Sequence, residues 1–380
     1  MTGVAIAGVA ESELGAVAPG TTALDLMGQA SARALADCGL EAKDVDGLFA
    51  ASGQLAMATV SLGEYLGIRP RHGDSTNVGG ASFVAHLAHA AAAIATGRCE
   101  VALIAYGSTQ RLLGRASAAI GERDPYEAPF KAPMPVTAYA LAAARHMHEY
   151  ATSPEQLAEV AVSARAWAAR NPLAFEREPL TVEDVLAAPR VADPLGVRDC
   201  CLVTDGGAAA VVVSAERAAS LRRAPVHVLG VAEAQSHRHI ASMPDLTVTA
   251  ARESGARAFA EAGLTPGDVD LLMLYDAFTI TPILFLEDLG FCAKGEGGPF
   301  VEGGRTAPGG SGPPMNTNGG GLSYQHPGMY GLLEVVEAVR QLRGEGGERQ
   351  VQGAEVALVH ANGGVLSSQC TALLGAQATT

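Results

Sequence analysis

The sequence predicts an α/β fold made of two similar halves. The segment 34–49 (ALADCGLEAKDVDGLF) recurs as 258–273 (AFAEAGLTPGDVDLLM), which is 258 − 34 = 224 residues later, and nine of the sixteen positions are identical or exchange Asp for Glu. Downstream in each half, a glycine-rich turn precedes a long helical segment and a buried strand, and residues 100–103 (EVAL) match residues 355–358. Helix–strand units in the same order in both halves indicate a duplicated α/β architecture with pseudo-twofold symmetry.

The predicted N-terminal half covers residues 1–225 and the C-terminal half covers residues 226–380. An insertion over about residues 114–198 interrupts the first half. Its first part is rich in proline, and two helices are predicted over 136–150 and 153–169. Insertions of this size in a compact fold typically cover a functional site.

The composition is that of a globular chain with enough apolar material for a buried core. Of the 380 residues, 48% are hydrophobic, 17% are charged and 45 are glycine. The formal net charge is −14 and the basic residues are scattered, so we expect no nucleic-acid partner. No apolar run reaches the roughly 20 residues that span a bilayer, and no basic segment precedes the first apolar run, so we expect neither a membrane span nor a secretory signal. The six cysteines form no C-x-x-C pair, which favours a reduced cytoplasmic location and provides no metal site.

A glycine-rich loop near the C-terminus, residues 319–331 (GGGLSYQHPGMYG), is the first candidate site. Its leading glycines can approach a ligand closely because they carry no Cβ. Tyr324 and His326 follow them, and a helical pattern begins after the loop. A flexible loop that presents a tyrosine and a histidine ahead of a helix is typical of a binding or catalytic site. A purely structural turn is the alternative, because glycine-rich turns and His-Pro pairs commonly break secondary structure.

Polar residues also follow two predicted strands of the C-terminal half. Tyr275 and Asp276 end the strand of the second repeat, a position where open α/β folds place functional groups. Tyr275 is predicted to act as a proton donor or acceptor, or else to be a core aromatic with a satisfied hydroxyl group. The last strand ends in a similar way, with polar residues and glycines: His360, Asn362, Gly363 and Gly364.

The turn before the alanine-rich helix of the first half contains Gly80 and Ser82. A nucleophile could stand at such a helix start, but no G-x-S-x-G elbow accompanies the serine, and a capping role is the alternative. Together the candidate loops contain histidine, tyrosine and backbone N–H groups but no cysteine. This inventory indicates proton transfer beside a polarised carbonyl, with an oxyanion held by histidine and backbone donors.

These segments together resemble the thiolase superfamily, and within it the sterol-carrier-protein-type thiolases. The resemblance covers the duplication, the helical insertion, the segment 205–212 (DGGAAAVV) and the run 290–304 (GFCAKGEGGPFVEGG). It implies a duplicated thiolase fold of the α/β class, with two mixed five-stranded sheets in a five-layer αβαβα arrangement. It also implies a homodimer and coenzyme A thioesters as substrates, with no cofactor bound by this chain.

The chain departs from that family at the reacting residues. Gly80 occupies the position of the acylated cysteine, which rules out a covalent acyl-enzyme by the usual route. Tyr275 replaces the residue that helps to hold an oxyanion-hole water, within the motif 275–278 (YDAF). His326 is kept in a Gln-His-Pro motif with Tyr324 just before it, and His360 matches the late acid–base cysteine, as in the sterol-carrier branch.

Loss of the nucleophile together with two added tyrosines resembles the thiolase-like aldolases that cleave β-hydroxyacyl-CoA thioesters in bacterial steroid side-chain degradation. The resemblance implies that Tyr275 or Tyr324 is the base, directly or through His360, and that His326 and backbone N–H groups hold the enolate oxygen. It also implies a small OB-fold and zinc-ribbon partner protein, with any zinc on that partner. The other residues expected to line the substrate site are Gly80, Ser82, Asp276, Asn362, Gly363 and Gly364.

Two further functions stay open at this point. One is a thiolase or acyltransferase relative that uses a different nucleophile, such as Ser82 or a shifted cysteine. The other is a catalytically silent acyl-CoA-binding subunit that stabilises a partner. Gly80 argues against the first, and the two tyrosines favour aldol cleavage over the second.

Overall fold

Strands and helices alternate along the chain, as the repeat predicts, in a computed structural model that describes residues 3–114 and 125–378. The strands are β1 (Val4–Glu11), β2 (Gly47–Ala50), β3 (His72–Asp74), β4 (Val101–Ser108), β5 (Arg190–Ala192), β6 (Leu195–Gly196), β7 (Gly206–Ser214), β8 (Val226–Gln235), β9 (Leu271–Leu274), β10 (Val356–Gly363) and β11 (Ser368–Gly375). The α-helices are α1 (Ala23–Cys38), α2 (Ala58–Leu66), α3 (Ser82–Ala95), α4 (Gln110–Leu113), α5 (Val136–Tyr150), α6 (Pro154–Ala168), α7 (Val182–Leu186), α8 (Ala215–Ala218), α9 (Ala251–Ala262), α10 (Ile280–Asp288), α11 (Gly297–Val301) and α12 (Gly331–Leu342). Within these described ranges no helix is long and apolar enough to cross a membrane.

The main sheet joins both halves of the chain. In the described residues its order is β3-β2-β4-β7-β1-β8-β11-β10-β9, while β5 and β6 form a separate pair. We expected two five-stranded sheets; the structure instead shows five strands of the first half continuous with four of the second. The junction is an antiparallel pairing of β1 with β8, at Ala5–His227 and Ile6–Val226. This pairing covers the backbone edge that each half-sheet would otherwise leave open.

The repeated segments have the same structure in both halves. Each consists of a helix, a short 3₁₀ turn and a strand, and each strand lies parallel to the next strand of its half, β2 beside β4 and β9 beside β10. The last aspartate of each repeat has the same role. Asp46 accepts the backbone N–H groups at positions 100 and 101, at 2.8 and 2.9 Å, and Asp270 accepts those at 355 and 356, both at 2.8 Å. The repeat therefore preserves the hydrogen bonds that align the paired strands.

Two central helices follow the glycine-rich turns of the two halves. Helix α3 packs on β4 and β7, α12 packs on β10 and β7, and the two helices contact each other. The turns that precede α3 and follow β10 approach at backbone distance: a Cβ on Gly363 would lie 1.6 Å from the carbonyl oxygen of Val78. Only glycine allows this contact, which holds the loops of the two halves together.

The insertion covers the glycine-rich loop. Helix α6 starts at Ser153, whose side chain accepts the backbone N–H of Gln156 in a capping box, as the sequence predicts. The segment after α6 binds the loop through its backbone, with the N–H of Phe175 donating to the carbonyl of Tyr324 at 3.0 Å. Arg165 of α6 also donates from Nε to the hydroxyl of Ser323 at 2.9 Å. Part of the predicted insertion, residues 115–124, lies outside the described residues.

Candidate active site

Gly80 and Tyr275 meet at the centre of the candidate site. Gly80 lies in the 3₁₀ turn that leads into α3, and Tyr275 directly follows β9. A Cβ on Gly80 would lie 2.3 Å from both the hydroxyl oxygen and Cε2 of Tyr275. The phenol therefore occupies the volume that a side chain at position 80 would need.

The hydroxyl group of Tyr275 is positioned by the start of α12. It accepts the backbone N–H of Tyr330 at 3.1 Å, and no hydrogen bond among the described residues uses its own proton. Burial raises the pKa of Tyr275 well above its usual value, because the phenolate would lose its hydration. Tyr275 is therefore a neutral phenol with a proton available for donation to a ligand.

His326 packs beside this phenol. Its ring is perpendicular to that of Tyr275, with centroids 5.7 Å apart, and stacks on Tyr330 at 6.2 Å. Its backbone N–H donates to the hydroxyl of Thr204 at 2.9 Å, which fixes the loop at this residue. Nε2 is buried and has no hydrogen-bond partner, and burial lowers the pKa of His326 to about 4. The imidazole is therefore neutral, with one nitrogen free to bind a ligand.

Asp276 organises the loop backbone instead of facing a ligand. Its carboxylate accepts the N–H of Gly321 at 2.6 Å and that of Leu322 at 3.3 Å, at the start of a π-helical turn over Gly320–Tyr324. A Cβ on Gly320 would lie 1.9 Å from Oδ2 of Asp276, so glycine is required there. Burial raises the pKa of Asp276 to about 7. The structure thus gives Asp276, which we expected to bind substrate, a capping role.

Ser82 stabilises the turn that precedes α3, and it does not cap that helix, whose N-cap is Ala81. Its hydroxyl donates to the carbonyl of Gly79 at 2.6 Å and accepts the N–H of Val78 at 2.9 Å, and its side chain is fully buried. The glycines at the end of β10 contact the same turn, since a Cβ on Gly79 would lie 2.8 Å from the backbone nitrogen of Gly364. These residues shape the site through backbone packing.

His360 lies on the other face of the sheet from Tyr275. Side chains alternate between the faces of a strand, and the neighbouring Ala361 faces α12, where a Cβ on Gly331 would lie 3.0 Å from its Cβ. The same Cβ on Gly331 would lie 2.4 Å from the carbonyl oxygen of Gly80, so this is the face that carries the Gly80–Tyr275 contact. The geometry therefore contradicts the expected proton route from Tyr275 through His360.

Both ring nitrogens of His360 are instead bound within a buried network. Nδ1 lies 2.8 Å from the hydroxyl of Thr371 and Nε2 lies 2.9 Å from Oε1 of Gln369. Gln369 donates to Asn362 at 2.8 Å, and Asn362 donates to the hydroxyl of Tyr139 in the insertion at 2.8 Å. Burial lowers the pKa of His360 to about 3. His360 and Asn362 thus link the sheet to the insertion.

Tyr324 is directed to a third place. Its hydroxyl donates to Glu11 at the end of β1, at 2.9 Å, and Glu11 forms an ion pair with Arg340 of α12. Tyr324 is fully buried, with a pKa that burial raises well above its usual value. The hydroxyl of Tyr324 therefore points away from Tyr275 and His326, although Tyr324 and His326 are only two residues apart in the same loop.

Two residues of the cluster were missed from the sequence. Tyr330 was not among the predicted site residues, but its backbone N–H binds Tyr275 and its phenol donates to Asn318 at 2.8 Å. Glu334, one turn later on α12, is fully buried and neither of its carboxyl oxygens has a hydrogen-bond partner. An acidic residue within the apolar stretch 331–336 (GLLEVV) was the available signal for it.

Comparisons with known proteins agree with this fold. Residues 232–376 match the family described as "Thiolase C-terminal domain-like". The chain is 34% identical over 375 residues to an acetyl-CoA acetyltransferase of Methanothermobacter thermautotrophicus, with 96% of this chain and 97% of that protein covered. It is equally 34% identical over 375 residues to the 17-hydroxy-3-oxo-4-pregnene-20-carboxyl-CoA lyase of Mycobacterium tuberculosis, with 92% and 94% covered.

A solved structure, named as an Ltp2-ChsH2(DUF35) aldolase, superimposes with a TM-score of 0.88 at 33% identity, covering 98% of this chain and 97% of that one. This similarity confirms the predicted thiolase fold class over the whole described chain. The duplicated α/β architecture and these similarities show that the chain belongs to the thiolase superfamily.

Proposed function

We propose that the protein is an aldol lyase that cleaves a carbon–carbon bond of a β-hydroxyacyl-CoA without a covalent acyl-enzyme. The observation that carries this proposal is the Gly80–Tyr275 contact, where a phenol fills the volume that any side chain at position 80 would need. Similarity to a lyase at 34% identity and to an aldolase at 33% identity supports it.

The substrate class follows from the name of the lyase relative. A hydroxyl on carbon 17 and a carboxyl-CoA on carbon 20 make that relative's compound a β-hydroxyacyl thioester. We extend this class, a steroid side chain, to the present chain. Cleavage between carbons 17 and 20 would release a 17-ketone and propionyl-CoA.

Tyr275 and His326 hold the enolate oxygen in this proposal. Retro-aldol cleavage leaves negative charge on the thioester oxygen, and neutral donors in a buried site stabilise such charge strongly. Tyr275 has a free proton and His326 a free nitrogen, and their rings are in contact. The raised pKa of Tyr275 makes it a poor resting base, and the hydroxyl of Tyr324 is bound to Glu11. Neither tyrosine is therefore assigned as the base.

The proposed function includes a partner protein and a homodimer. The aldolase with TM-score 0.88 is named as an Ltp2-ChsH2(DUF35) assembly, and we propose that this chain likewise works with a small OB-fold and zinc-ribbon protein that holds any zinc itself. A homodimer of this chain, in the cytoplasm, completes the proposed assembly. Light scattering of the chain alone and mixed with a DUF35 protein would measure both associations.

An acyltransferase is the second candidate function, favoured by the acetyltransferase relative and by Cys201. The backbone N–H of Cys201 donates to the carbonyl of Ala277 at 2.9 Å, two residues from Tyr275, and a thiolate there would raise the pKa of the phenol further, after the larger effect of burial. Burial raises the pKa of Cys201 as well, which keeps it a thiol and lowers its reactivity.

Product analysis separates the candidates. The chain, alone and with a DUF35 protein, is incubated with 17-hydroxy-3-oxo-4-pregnene-20-carboxyl-CoA, and ketone and propionyl-CoA are measured by mass spectrometry. Aldol cleavage predicts both products, and Tyr275→Phe should lower kcat by about 10²–10³-fold, the usual effect of losing one oxyanion donor. Tyr65→Phe, which removes an exposed hydroxyl, is the matched control. Acyl label retained on the protein would favour the acyltransferase, and binding without products would favour a silent subunit.

A further inference from the structure

Helix α12 contains a buried carboxyl group that lacks a partner, Glu334. Its exposure is 0%, and neither oxygen has a hydrogen-bond partner within the described residues. The next carboxylate of the helix, Glu337, is bound by Arg349, Thr317 and Gln341. Burying a carboxyl without such partners costs free energy, so a native fold keeps one where it serves another purpose.

Glu334 lies on the face of α12 that meets Gly80 and Tyr275. Residues three and four apart share a helix face, which groups Glu334 with Gly331 and Tyr330. Gly331 contacts the carbonyl of Gly80, and the N–H of Tyr330 binds the hydroxyl of Tyr275. Helical side chains lean toward the N-terminus of their helix, which directs the Glu334 carboxyl back toward this contact.

Electrostatics agrees with that placement. Burial is the largest cause of the raised pKa of the Tyr275 and Tyr330 phenols, and a negative charge on Glu334 raises both further, as expected for a carboxyl on this face of the helix. The charge of Asp276 in turn raises the pKa of Glu334, after the larger effect of burial. Burial therefore favours the protonated carboxyl at rest, and the fraction that is present as carboxylate is a stronger base than a carboxylate in water.

We propose that Glu334 is the base of the aldol cleavage, and that it moves one proton from the β-hydroxyl group to the α-carbon of the departing acyl-CoA. The assignment rests on the proposed function and supplies the base that Tyr275 and Tyr324 do not. Glu334 is thereby a catalytic residue, while Tyr275 and His326 hold the enolate oxygen.

The proposed step is balanced without another reactant. The β-hydroxyl O–H bond breaks and its proton goes to the Glu334 carboxylate, while its electron pair forms the ketone carbonyl. The bond between the α- and β-carbons breaks, and its electron pair becomes the thioester enolate. Glu334 then returns the proton to the α-carbon as the thioester carbonyl re-forms, which regenerates the carboxylate.

The proton transfer between Glu334 and the α-carbon can be measured separately from carbon–carbon cleavage. Incubating the protein with propionyl-CoA in D₂O should exchange the α-hydrogens for deuterium, because Glu334 removes and returns them through the same enolate. In Glu334→Gln, both this exchange and kcat for cleavage should fall by about 10²–10⁴-fold, the usual range for a general base, with KM unchanged. Glu348→Gln, an exposed substitution of the same kind, should keep both rates.

Exchange and cleavage at wild-type rates in folded Glu334→Gln would overturn the assignment and leave the aldol lyase intact. If that variant does not fold, Glu334→Asp replaces it: slowed exchange at unchanged KM supports the base role, and wild-type exchange overturns it. Wild-type protein that produces no ketone with its partner would instead overturn the proposed function. Exchange lost only in the Glu334 variants would then still assign the proton transfer.

Discussion

The ring of Tyr275 excludes a side chain at Gly80. A Cβ at position 80 would lie 2.3 Å from the hydroxyl oxygen and from Cε2 of Tyr275, closer than non-bonded atoms approach. The phenol of Tyr275 therefore occupies the volume that any side chain at position 80 would need. A thiol cannot be introduced at Gly80 while Tyr275 keeps its position.

Gly80→Cys should destabilise the protein by about 1–3 kcal/mol or more, because it overpacks a closed contact. Gly80 does not have a positive φ, so the cost comes from the clash and not from the backbone. Tyr275→Ala should remove most of the cysteine penalty when the two substitutions are combined. Urea unfolding of both single variants, the double variant and the wild type gives the coupling energy. If the changes in unfolding free energy of the two single variants simply add in the double variant, Gly80 and Tyr275 are not in contact.

Glu334→Met should raise the free energy of unfolding by about 1–3 kcal/mol, because it removes a buried carboxyl without a partner at similar volume. It should also abolish cleavage. Glu337→Met, on the same helix, should lower stability by about 3–5 kcal/mol, because it leaves Arg349 buried and unpaired. Denaturant melts of both variants measure the difference. A loss of stability in Glu334→Met would show that its carboxyl is bound in solution.

Asp46→Ala and Asp270→Ala should lower stability by similar amounts, about 1–3 kcal/mol each. Each substitution leaves two backbone N–H groups of a neighbouring parallel strand without an acceptor. Equal losses would be the energetic sign of the duplication. A large loss of stability for only one of the two variants would mean that the equivalent hydrogen bonds contribute unequally in the two halves.

Acidification should destabilise the protein partly through His360. Its pKa is about 3 in the folded state and 6.5 without burial, so the unfolded chain binds one more proton between these values. Stability from this group is present above pH 6.5 and is lost as the pH falls toward 3. His360→Gln should reduce the slope of unfolding free energy against pH by about 1.4 kcal/mol per unit between pH 4 and 6.

Local patterns predicted much of this fold. The internal repeat identified the duplication, and the structure confirms it down to the matched roles of Asp46 and Asp270. The alternative that Ser82 caps α3 is wrong in detail, because its hydroxyl bonds Val78 and Gly79 of the preceding turn and Ala81 is the N-cap. The confirmed features depend on residues near one another in the chain or on a repeated segment, so the linear pattern contains them.

The site itself was only partly predictable. Tyr275 and His326 are in contact as expected, but His360 faces away and Tyr324 binds Glu11. The sequence shows where a strand ends. It does not show which face of the sheet lines the site, because that depends on which helix packs against the strand.

The sequence by itself determined the duplicated α/β class, the insertion, the absence of a nucleophilic side chain at Gly80 and the two loops that supply Tyr275 and His326. Only the tertiary structure decided that Tyr275 fills the space at Gly80, that His360 is excluded by strand alternation, and that Glu334 is buried without a partner. The reason is physical: residue type and spacing set local conformation, but volume exclusion, side-chain facing and desolvation depend on neighbours from distant segments.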